Sequence, residues 1–176
     1  HQELEKEISD FLGTEDTIAY LGGYTTNVST ISTVVSSQDL ILHDALSHNS
    51  IIMGAILSGS KRIPFKHNDM TSLENILAKT RSHYRRVLIV AEGIYSMDGD
   101  ICDLPRLIEL KKQYGAILMI DEAHSLGTIG DCGRGVGSYY NVQRSDVDLW
   151  MGTMSKSLAS CGGYISGKKE WIELLK

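Results

Sequence analysis

Short apolar runs alternate with amphipathic stretches along most of the chain. Val87-Leu-Ile-Val-Ala91 and Ala116-Ile-Leu-Met-Ile120 contain no polar position, which is typical of central strands covered on both faces. Leu104–Tyr114 instead places apolar residues at helical spacing. Seven strands are predicted, at Thr17–Leu21, Leu40–His43, Arg62–Phe65, Val87–Ala91, Ala116–Ile120, Leu149–Gly152 and Tyr164–Ser166.

Helices are predicted between most of these strands. Asp103 and Pro105 suit the start of the helix at Leu104–Tyr114, because Asp caps free backbone amides and Pro is tolerated in a first turn. The other internal helices are predicted at Asn27–Val35, Ser50–Leu57 and Ser72–Ser82. Strand–helix alternation of this kind predicts one α/β domain with a mostly parallel sheet.

Both ends of the chain lie within helical patterns. Leu4, Ile8 and Phe11 recur at helical spacing until Gly13 ends the run, and Trp171–Leu175 form an unfinished helix without a cap. We therefore expect residues 1–176 to be a piece of a longer chain.

Composition excludes several classes of protein. The 176 residues are 42% hydrophobic and 22% charged, which is globular and argues against disorder, and the net charge of −5 argues against a nucleic-acid partner. No apolar run approaches the roughly 18 residues of a membrane span, and no signal peptide is present, so a cytoplasmic protein is predicted. Three widely spaced cysteines favour neither a disulfide framework nor a zinc knuckle.

In a parallel sheet, ligands bind beyond the carboxyl ends of the strands. Polar or small residues follow most of the predicted strands, and they are the first candidates for a site. These segments are Gly22–Gly23, His48, Glu92–Ser96, Asp121–His124 and Thr153–Lys156.

Two nucleotide-binding interpretations are not supported. Asp121-Glu-Ala-His124 resembles the acidic box of helicases, but the only Walker-like segment, Gly162–Lys169, ends in Lys169 instead of Ser or Thr and follows the box. The glycines at positions 127, 130, 133, 135 and 137 never form GxGxxG before a helix, and they indicate a loop with left-handed turns.

No metal site is predicted. Asp121, His124 and His48 are residue types that bind zinc, but neither HExxH nor a pair of neighbouring cysteines accompanies them.

Lys156 lies in an unusual run, Gly152-Thr-Met-Ser-Lys-Ser-Leu-Ala-Ser-Cys-Gly162. Most lysines are solvated surface charges, but this one follows an apolar strand and is surrounded by hydroxyl and small residues. Hydroxyls and backbone N–H groups in such a turn suit a phosphate. A lysine partly shielded from water can also lose its proton and form a Schiff base.

This run resembles the lysine-containing signature of class II pyridoxal-phosphate aminotransferases and α-oxoamine synthases. Four further segments resemble blocks of the same family, and together they cover essentially the whole chain in the family's order. They are Gly22–Tyr24 with Asn27 (the segment that receives the phosphate), Asp44–Ile51, Glu92–Asp100 and Asp121–Gly127.

The resemblance implies a fold and an assembly. Residues 1–176 are expected to form the cofactor-binding large domain of the fold type I pyridoxal-phosphate-dependent transferases, a mostly parallel seven-stranded sheet sandwiched by helices. Family members are longer, so the domain is expected to be truncated at both ends and to lack the smaller C-terminal domain with its carboxylate-binding Arg. A homodimer with a shared active site is also implied.

The resemblance assigns roles to residues around the cofactor ring. Lys156 is expected to hold pyridoxal phosphate as a Schiff base and then to remove the α-proton of the amino acid. Asp121 is expected to pair with the protonated pyridine nitrogen, which makes the ring an electron sink. His124 is expected to hydrogen-bond the phenolic oxygen, and His48 to stack on the ring.

Further roles concern the periphery of the cofactor. Ser96 is expected near the phenolic oxygen or the ring edge. Thr153 and the backbone N–H groups of Gly23 and Tyr24 are expected to hold the phosphate. Glu92 is expected to position the amino acid or the acyl thioester.

The implied reaction is the decarboxylative condensation of a small amino acid with an acyl thioester, on coenzyme A or a carrier protein, to give an α-aminoketone. A pyridoxal-phosphate aminotransferase or lyase of the same fold is the alternative. A non-catalytic subunit is a second alternative, against which the presence of Lys156, Asp121 and His124 argues. The remaining histidines, at positions 1, 43, 67 and 83, are interpreted as surface or core residues.

Overall fold

A seven-stranded sheet runs through the middle of the molecule, which the computed structural model describes over residues 1–176. Its spatial order is β1-β7-β6-β5-β4-β2-β3, and only β7 runs antiparallel to its neighbours. The predicted α/β fold with a mostly parallel sheet is therefore confirmed. The strands are β1 (Asp16–Tyr20), β2 (Leu40–Asp44), β3 (Lys61–Phe65), β4 (Val87–Glu92), β5 (Ile117–Asp121), β6 (Leu149–Thr153) and β7 (Gly163–Gly167).

Helices cover both faces of the sheet. The seven α-helices are α1 (Gln2–Leu12), α2 (Gly23–Val34), α3 (Asn49–Leu57), α4 (Met70–Thr80), α5 (Leu104–Tyr114), α6 (Val136–Tyr139) and α7 (Lys169–Leu175). Short 3₁₀ turns lie at Arg81–His83, Asp131–Gly133 and Arg144–Asp146.

The two faces of the sheet belong to separate hydrophobic cores. Ile89 and Ala91 of β4 pack in the cluster with α4 and α5, whereas Leu88 and Val90 pack in the cluster with α2, α3 and α7. Alternate residues of a strand point to opposite faces, so burial on both sides requires an uninterrupted apolar run. This requirement explains the sequence pattern of β4 and β5, every residue of which is at least partly buried.

Several element boundaries differ from the prediction by a few residues. Helix α2 begins at Gly23 rather than Asn27, because its first turn carries polar and small residues that give no apolar period. Helix α4 begins at Met70 rather than Ser72, and Asp69 caps it by accepting a 2.8 Å hydrogen bond from the backbone N–H of Ser72. Glu92, Asp121 and Thr153 are the last residues of their strands rather than the residues after them.

A buried ion pair anchors the glycine-rich connection after β5. Glu122 is fully buried; Nη1 of Arg144 lies 3.2 Å from its Oε2, and the backbone N–H of Val136 donates a 2.8 Å hydrogen bond to its Oε1. The guanidinium of Arg144 also stacks 4.4 Å from the ring centroid of Trp150. Four of the five glycines in this connection have the positive φ that was predicted, and Gly137 lies in α6.

We expect Arg144→Met to lower the free energy of unfolding by about 3–5 kcal/mol, because it leaves the carboxylate of Glu122 buried without its partner. Urea denaturation of the two proteins measures the difference. Lys112→Met is the matched control, since Lys112 pairs with Asp146 at 2.6 Å while more than half exposed, and such pairs contribute about 0–1 kcal/mol. Equal losses in the two variants would contradict the assignment.

Candidate active site

The site is a cavity of about 210 Å³ at the carboxyl ends of β4, β5 and β6, facing the N-terminus of α2. This is where a parallel sheet is expected to place a ligand. Ten of its thirteen lining residues are not hydrophobic. The lining consists of Gly23, Tyr24, Asn27, His48, Ser50, Glu92, Asp121, Ala123, His124, Met151, Thr153, Ser155 and Lys156.

Two carboxylates end neighbouring strands at the bottom of this cavity. Glu92 of β4 pairs in register with Asp121 of β5, and both are almost completely buried. Burial raises the pKa of Glu92 to about 7, and the negative charge of Asp121 adds to the effect. Glu92 can therefore gain or lose a proton near neutral pH, which suits an acid or base more than a fixed charge.

The carboxylate of Asp121 is held on both oxygens. Nδ2 of Asn27 donates a 2.8 Å hydrogen bond to Oδ2, and the backbone N–H of Ala123 donates a 2.9 Å hydrogen bond to Oδ1. Nδ2 of Asn27 also donates to Oγ of Ser50 at 2.9 Å. These contacts fix the direction of the carboxylate. Asn27 was predicted only as part of the phosphate segment, so its contact with Asp121 is new information from the structure.

Lys156 and His124 meet at the opening of the cavity, where Nζ of Lys156 lies 2.8 Å from Nε2 of His124. The lysine side chain is exposed overall, but the walls of the site desolvate its amine. This desolvation lowers the pKa of Lys156, although the negative charges of Asp121 and Glu92 act in the opposite direction. Desolvation and the neighbouring ammonium likewise lower the pKa of His124. A neutral imidazole can accept a hydrogen bond from Lys156, and a depressed lysine pKa favours the nucleophilic neutral amine.

His48 caps α3 beside these groups. Its backbone N–H donates a 2.5 Å hydrogen bond to Oε1 of Glu92, and its Nδ1 lies 2.7 Å from Oγ of Ser50. The ring is thereby oriented while the side chain stays exposed at the cavity.

The opposite wall of the cavity offers hydrogen-bond donors for an anion. Helix α2 has no side-chain cap at Gly22, so its first backbone N–H groups are free and its dipole favours negative charge. Oγ1 of Thr153 lies 2.9 Å from Oγ of Ser155 beside this turn. A Cβ atom at Gly23 would lie 2.9 Å from Oγ1 of Thr153, so only glycine allows the helix to approach β6 this closely.

Eight of the nine predicted site residues line this one cavity: Gly23, Tyr24, His48, Glu92, Asp121, His124, Thr153 and Lys156. Ser96 does not; it is exposed in the connection after β4, and its contact with a cofactor remains a prediction. Sequence reasoning gave no individual role to Ser50, Ala123, Met151 and Ser155, which also line the cavity. Ala123 and Ser155 lie in segments that were already candidates, whereas Met151 lies inside β6 and the contact of Ser50 with Asn27 joins two separate helices.

No group of three or more His, Cys, Asp or Glu side chains is arranged to hold a metal ion. None of the helices combines the length and the apolar character needed to cross a bilayer.

Comparison with known proteins gives consistent matches. The family described as Aminotransferase class I and II matches residues 1–176. Serine palmitoyltransferase 2 of Caenorhabditis elegans is 45% identical, covering 98% of this chain and 32% of the relative. A putative 8-amino-7-oxononanoate synthase of Trichodesmium erythraeum is 44% identical, covering 100% of this chain and 44% of the relative.

The solved structures agree with the sequence relatives. A serine palmitoyltransferase variant from S. paucimobilis, with pyridoxal phosphate and myriocin bound, superimposes with a TM-score of 0.94 at 34% identity, covering 99% of this chain and 45% of that chain. The predicted fold of the pyridoxal-phosphate-dependent transferases is therefore confirmed. The chain spans less than half the length of the relatives that it matches.

Proposed function

Because the chain belongs to the family of class I and II aminotransferases, we propose that it is the cofactor-binding part of an α-oxoamine synthase. Such an enzyme uses pyridoxal phosphate to condense a small amino acid with an acyl thioester and releases carbon dioxide. One observation carries the proposal: the amine of Lys156 is within hydrogen-bond distance of Nε2 of His124. Both groups lie in the same cavity as the carboxylates of Asp121 and Glu92 and the uncapped N-terminus of α2. The names of the serine palmitoyltransferase and 8-amino-7-oxononanoate synthase relatives support this branch of the family.

The donor set of the cavity fits pyridoxal phosphate. The phosphate requires N–H and O–H donors, which the first turn of α2, Thr153 and Ser155 provide. The pyridine nitrogen requires a carboxylate, and Asp121 is the one whose two oxygens are both held in place. The aldehyde requires an amine, and the pKa of Lys156 is lowered. When bound, the cofactor supplies a conjugated ring that withdraws electrons from the bonds at the α-carbon of the amino acid.

The chain's own residues then have distinct tasks. Asp121, whose two carboxylate oxygens are held by Asn27 and Ala123, would pair with the pyridine nitrogen and favour its positive charge. The amine of Lys156 takes the α-proton, since its lowered pKa leaves more of it neutral. His124 orients that amine through Nε2 and would hydrogen-bond the phenolic oxygen of a bound cofactor, and His48 would stack on the face of its ring.

We propose that Glu92 positions the amino acid or the acyl thioester. Burial and the charge of Asp121 raise its pKa to about 7, so Glu92 can exchange a proton near neutral pH. The backbone N–H of His48 fixes one of its oxygens.

A second copy of the chain is proposed to complete the site. Leu21 and Met97 are 90% exposed, and they adjoin the phosphate-binding turn and Ser96 respectively. Large apolar side chains this exposed are typical of a surface that another protein covers. We propose residues 1–176 as the large domain of each subunit in such a homodimer.

The test is the stoichiometry of the reaction. The full-length protein, with pyridoxal phosphate and glycine, alanine or serine, is given an acyl-coenzyme A or an acylated carrier protein. We expect carbon dioxide and free thiol to appear in a one-to-one ratio with one of the amino acids. A parallel reaction contains a 2-oxo acid in place of the acyl thioester, because an aminotransferase needs an acceptor for the amino group. A new keto acid formed there, without carbon dioxide and free thiol in the first reaction, would establish the aminotransferase alternative, and no turnover in either reaction would favour a non-catalytic subunit.

A further inference from the structure

A second cluster of titratable groups lies beside the active site. His67, in the connection between β3 and α4, places Nδ1 2.8 Å from Oδ1 of Asp44 and Nε2 2.6 Å from Oδ2 of Asp100. Asp44 is completely buried, His67 is about one quarter exposed, and Asp100 is partly exposed. The ring of His67 also meets the ring of Tyr95 edge-on at a centroid distance of 4.6 Å.

This geometry determines the charge of His67. Ionised carboxylates can only accept hydrogen bonds, so both ring nitrogens must donate, and only the imidazolium has two donors. Burial disfavours that charge, but hydrogen bonds and attraction from Asp44 and Asp100 outweigh it and raise the pKa of His67 above its usual value. Asp44 from β2, with Asp100 and Tyr95 from the connection after β4, are the titratable groups that face the ring.

Asn68 reinforces the same link. Its backbone N–H donates to Oδ2 of Asp44 at 2.9 Å, and its Nδ2 donates to Oδ2 of Asp100 at 2.8 Å. Asn68 has a φ of 49°, a left-handed conformation that Asn tolerates better than most residues. The dipeptide His67-Asn68 thus bridges two carboxylates that lie 56 positions apart, as their numbers 44 and 100 show.

The two carboxylates belong to the two connections that carry site residues. Asp44 ends β2, and its Oδ1 accepts a hydrogen bond from the backbone N–H of Leu46 at 2.8 Å in the loop that leads to His48. Asp100 lies in the connection after Glu92, where its carbonyl accepts a 3.0 Å hydrogen bond from the backbone N–H of Tyr95. Fixing Asp44 to Asp100 therefore fixes the loop that leads to His48 against the connection that follows Glu92, and both His48 and Glu92 line the cavity.

We propose that His67 is a positioning residue, whose imidazolium ties the connection after β4 to the connection after β2 and so holds His48 at the cavity and fixes the segment around Ser96 relative to it. This tie, the pair of hydrogen bonds from His67 to Asp44 and Asp100, does not depend on the function proposed above. Its consequence for substrate binding rests on that function.

The proposal has a defined pH dependence. The pKa of His67 is raised by folding, so the stabilisation is complete at pH values below the pKa of the unfolded chain. It is lost as the pH rises through the higher pKa of the folded protein.

Hydrogen exchange of residues 93–103 in the full-length protein tests the tie. At pH 7 we expect exchange of this segment to be roughly tenfold faster in His67→Gln, the factor expected for losing charge-assisted hydrogen bonds. His83→Gln is the matched control, because His83 is exposed and makes no side-chain hydrogen bond, and it should leave exchange unchanged. If His67→Gln does not fold, Asp100→Asn is used in its place, because it removes only one of the two carboxylates that contact His67.

The pH profile separates this role from a merely structural one. Corrected for base catalysis, protection of residues 93–103 in the wild type should fall as His67 loses its proton, whereas in His67→Gln it should be lower at pH 7 and should show no such fall with pH. Unchanged exchange in His67→Gln at pH 7, or wild-type protection independent of pH, would overturn the proposal.

The consequence for the site has its own readout. We expect the KM for the amino acid to rise in His67→Gln, with the cofactor absorption unchanged. A wild type that shows the exchange pattern but binds no pyridoxal phosphate would refute the proposed function and leave the tie intact. An unchanged KM in a catalytically active variant would refute the positioning role of the tie.

Discussion

Lys156→Ala should abolish covalent attachment of pyridoxal phosphate and lower kcat by about 10³-fold or more, since one side chain supplies both the nucleophilic amine and the base. The amine lies 2.8 Å from His124, and no other lysine lines the cavity. Borohydride treatment of the full-length protein, followed by mass analysis of the peptide that contains residue 156, measures attachment directly. Absorption spectra recorded before reduction report the same event without relying on turnover.

Lys79→Ala is the matched control for this experiment. Lys79 is an exposed lysine of α4 without an ion pair, and its removal should change neither attachment nor rate. Lys156→Arg keeps the positive charge but offers no amine, so it should be as inactive as the alanine variant. Attachment of the cofactor at full yield in Lys156→Ala, with the protein folded, would refute the assignment of Lys156.

Asp121→Asn should lower kcat/KM by roughly 10²-fold or more, because a neutral amide cannot hold a positive charge on the pyridine nitrogen. In the wild type, Nδ2 of Asn27 donates a hydrogen bond to Oδ2 of Asp121. The substitution replaces one acceptor oxygen by an NH2 donor, which then faces an N–H group. The affinity for pyridoxal phosphate, measured by absorption titration, should fall together with the rate.

Asn27→Ala provides the comparison for Asp121→Asn. It keeps the carboxylate and removes one of its two hydrogen-bond donors, which should cost about tenfold or less. A second readout is the titration of Glu92. The charge of Asp121 contributes to its pKa of about 7, so the corresponding limb of the pH–rate profile should move to lower pH in Asp121→Asn and stay in place in Asn27→Ala. Equal rates in the two variants would refute a specific role for the charge.

The predicted strands and the residues at their ends agree closely with the structure. Val87–Ala91 and Ala116–Ile120 were recognised because burial on both faces leaves an uninterrupted apolar run, and this signal is contained within one element. The helix start at Gly23 was missed for the opposite reason, because small and polar residues in a first turn carry no period.

The contacts between distant segments had no comparable signal. Asn27 reaches Asp121 across 94 positions, and this depends on α2 packing at the ends of β5 and β6. His67 was interpreted as a surface or core residue, because nothing within its own segment shows that Asp44 and Asp100 meet it from two sides. Ser96 illustrates the reverse case, since its segment resembles a family block while its side chain is exposed outside the cavity.

Whereas the chemistry expected at the site came from the resemblance of five segments to a known family, the order of apolar and polar residues was enough to predict the class of fold and the edge of the sheet where a ligand is expected. Local periodicity carries that information because each element must bury its own face. The sheet order β6-β5-β4-β2 instead accounts for three features of the site. They are the lowered pKa of Lys156, the raised pKa of Glu92 and the two hydrogen bonds that hold Asp121. Desolvation and charge–charge distances exist only when remote segments share one low-dielectric cavity, so only the tertiary structure sets them.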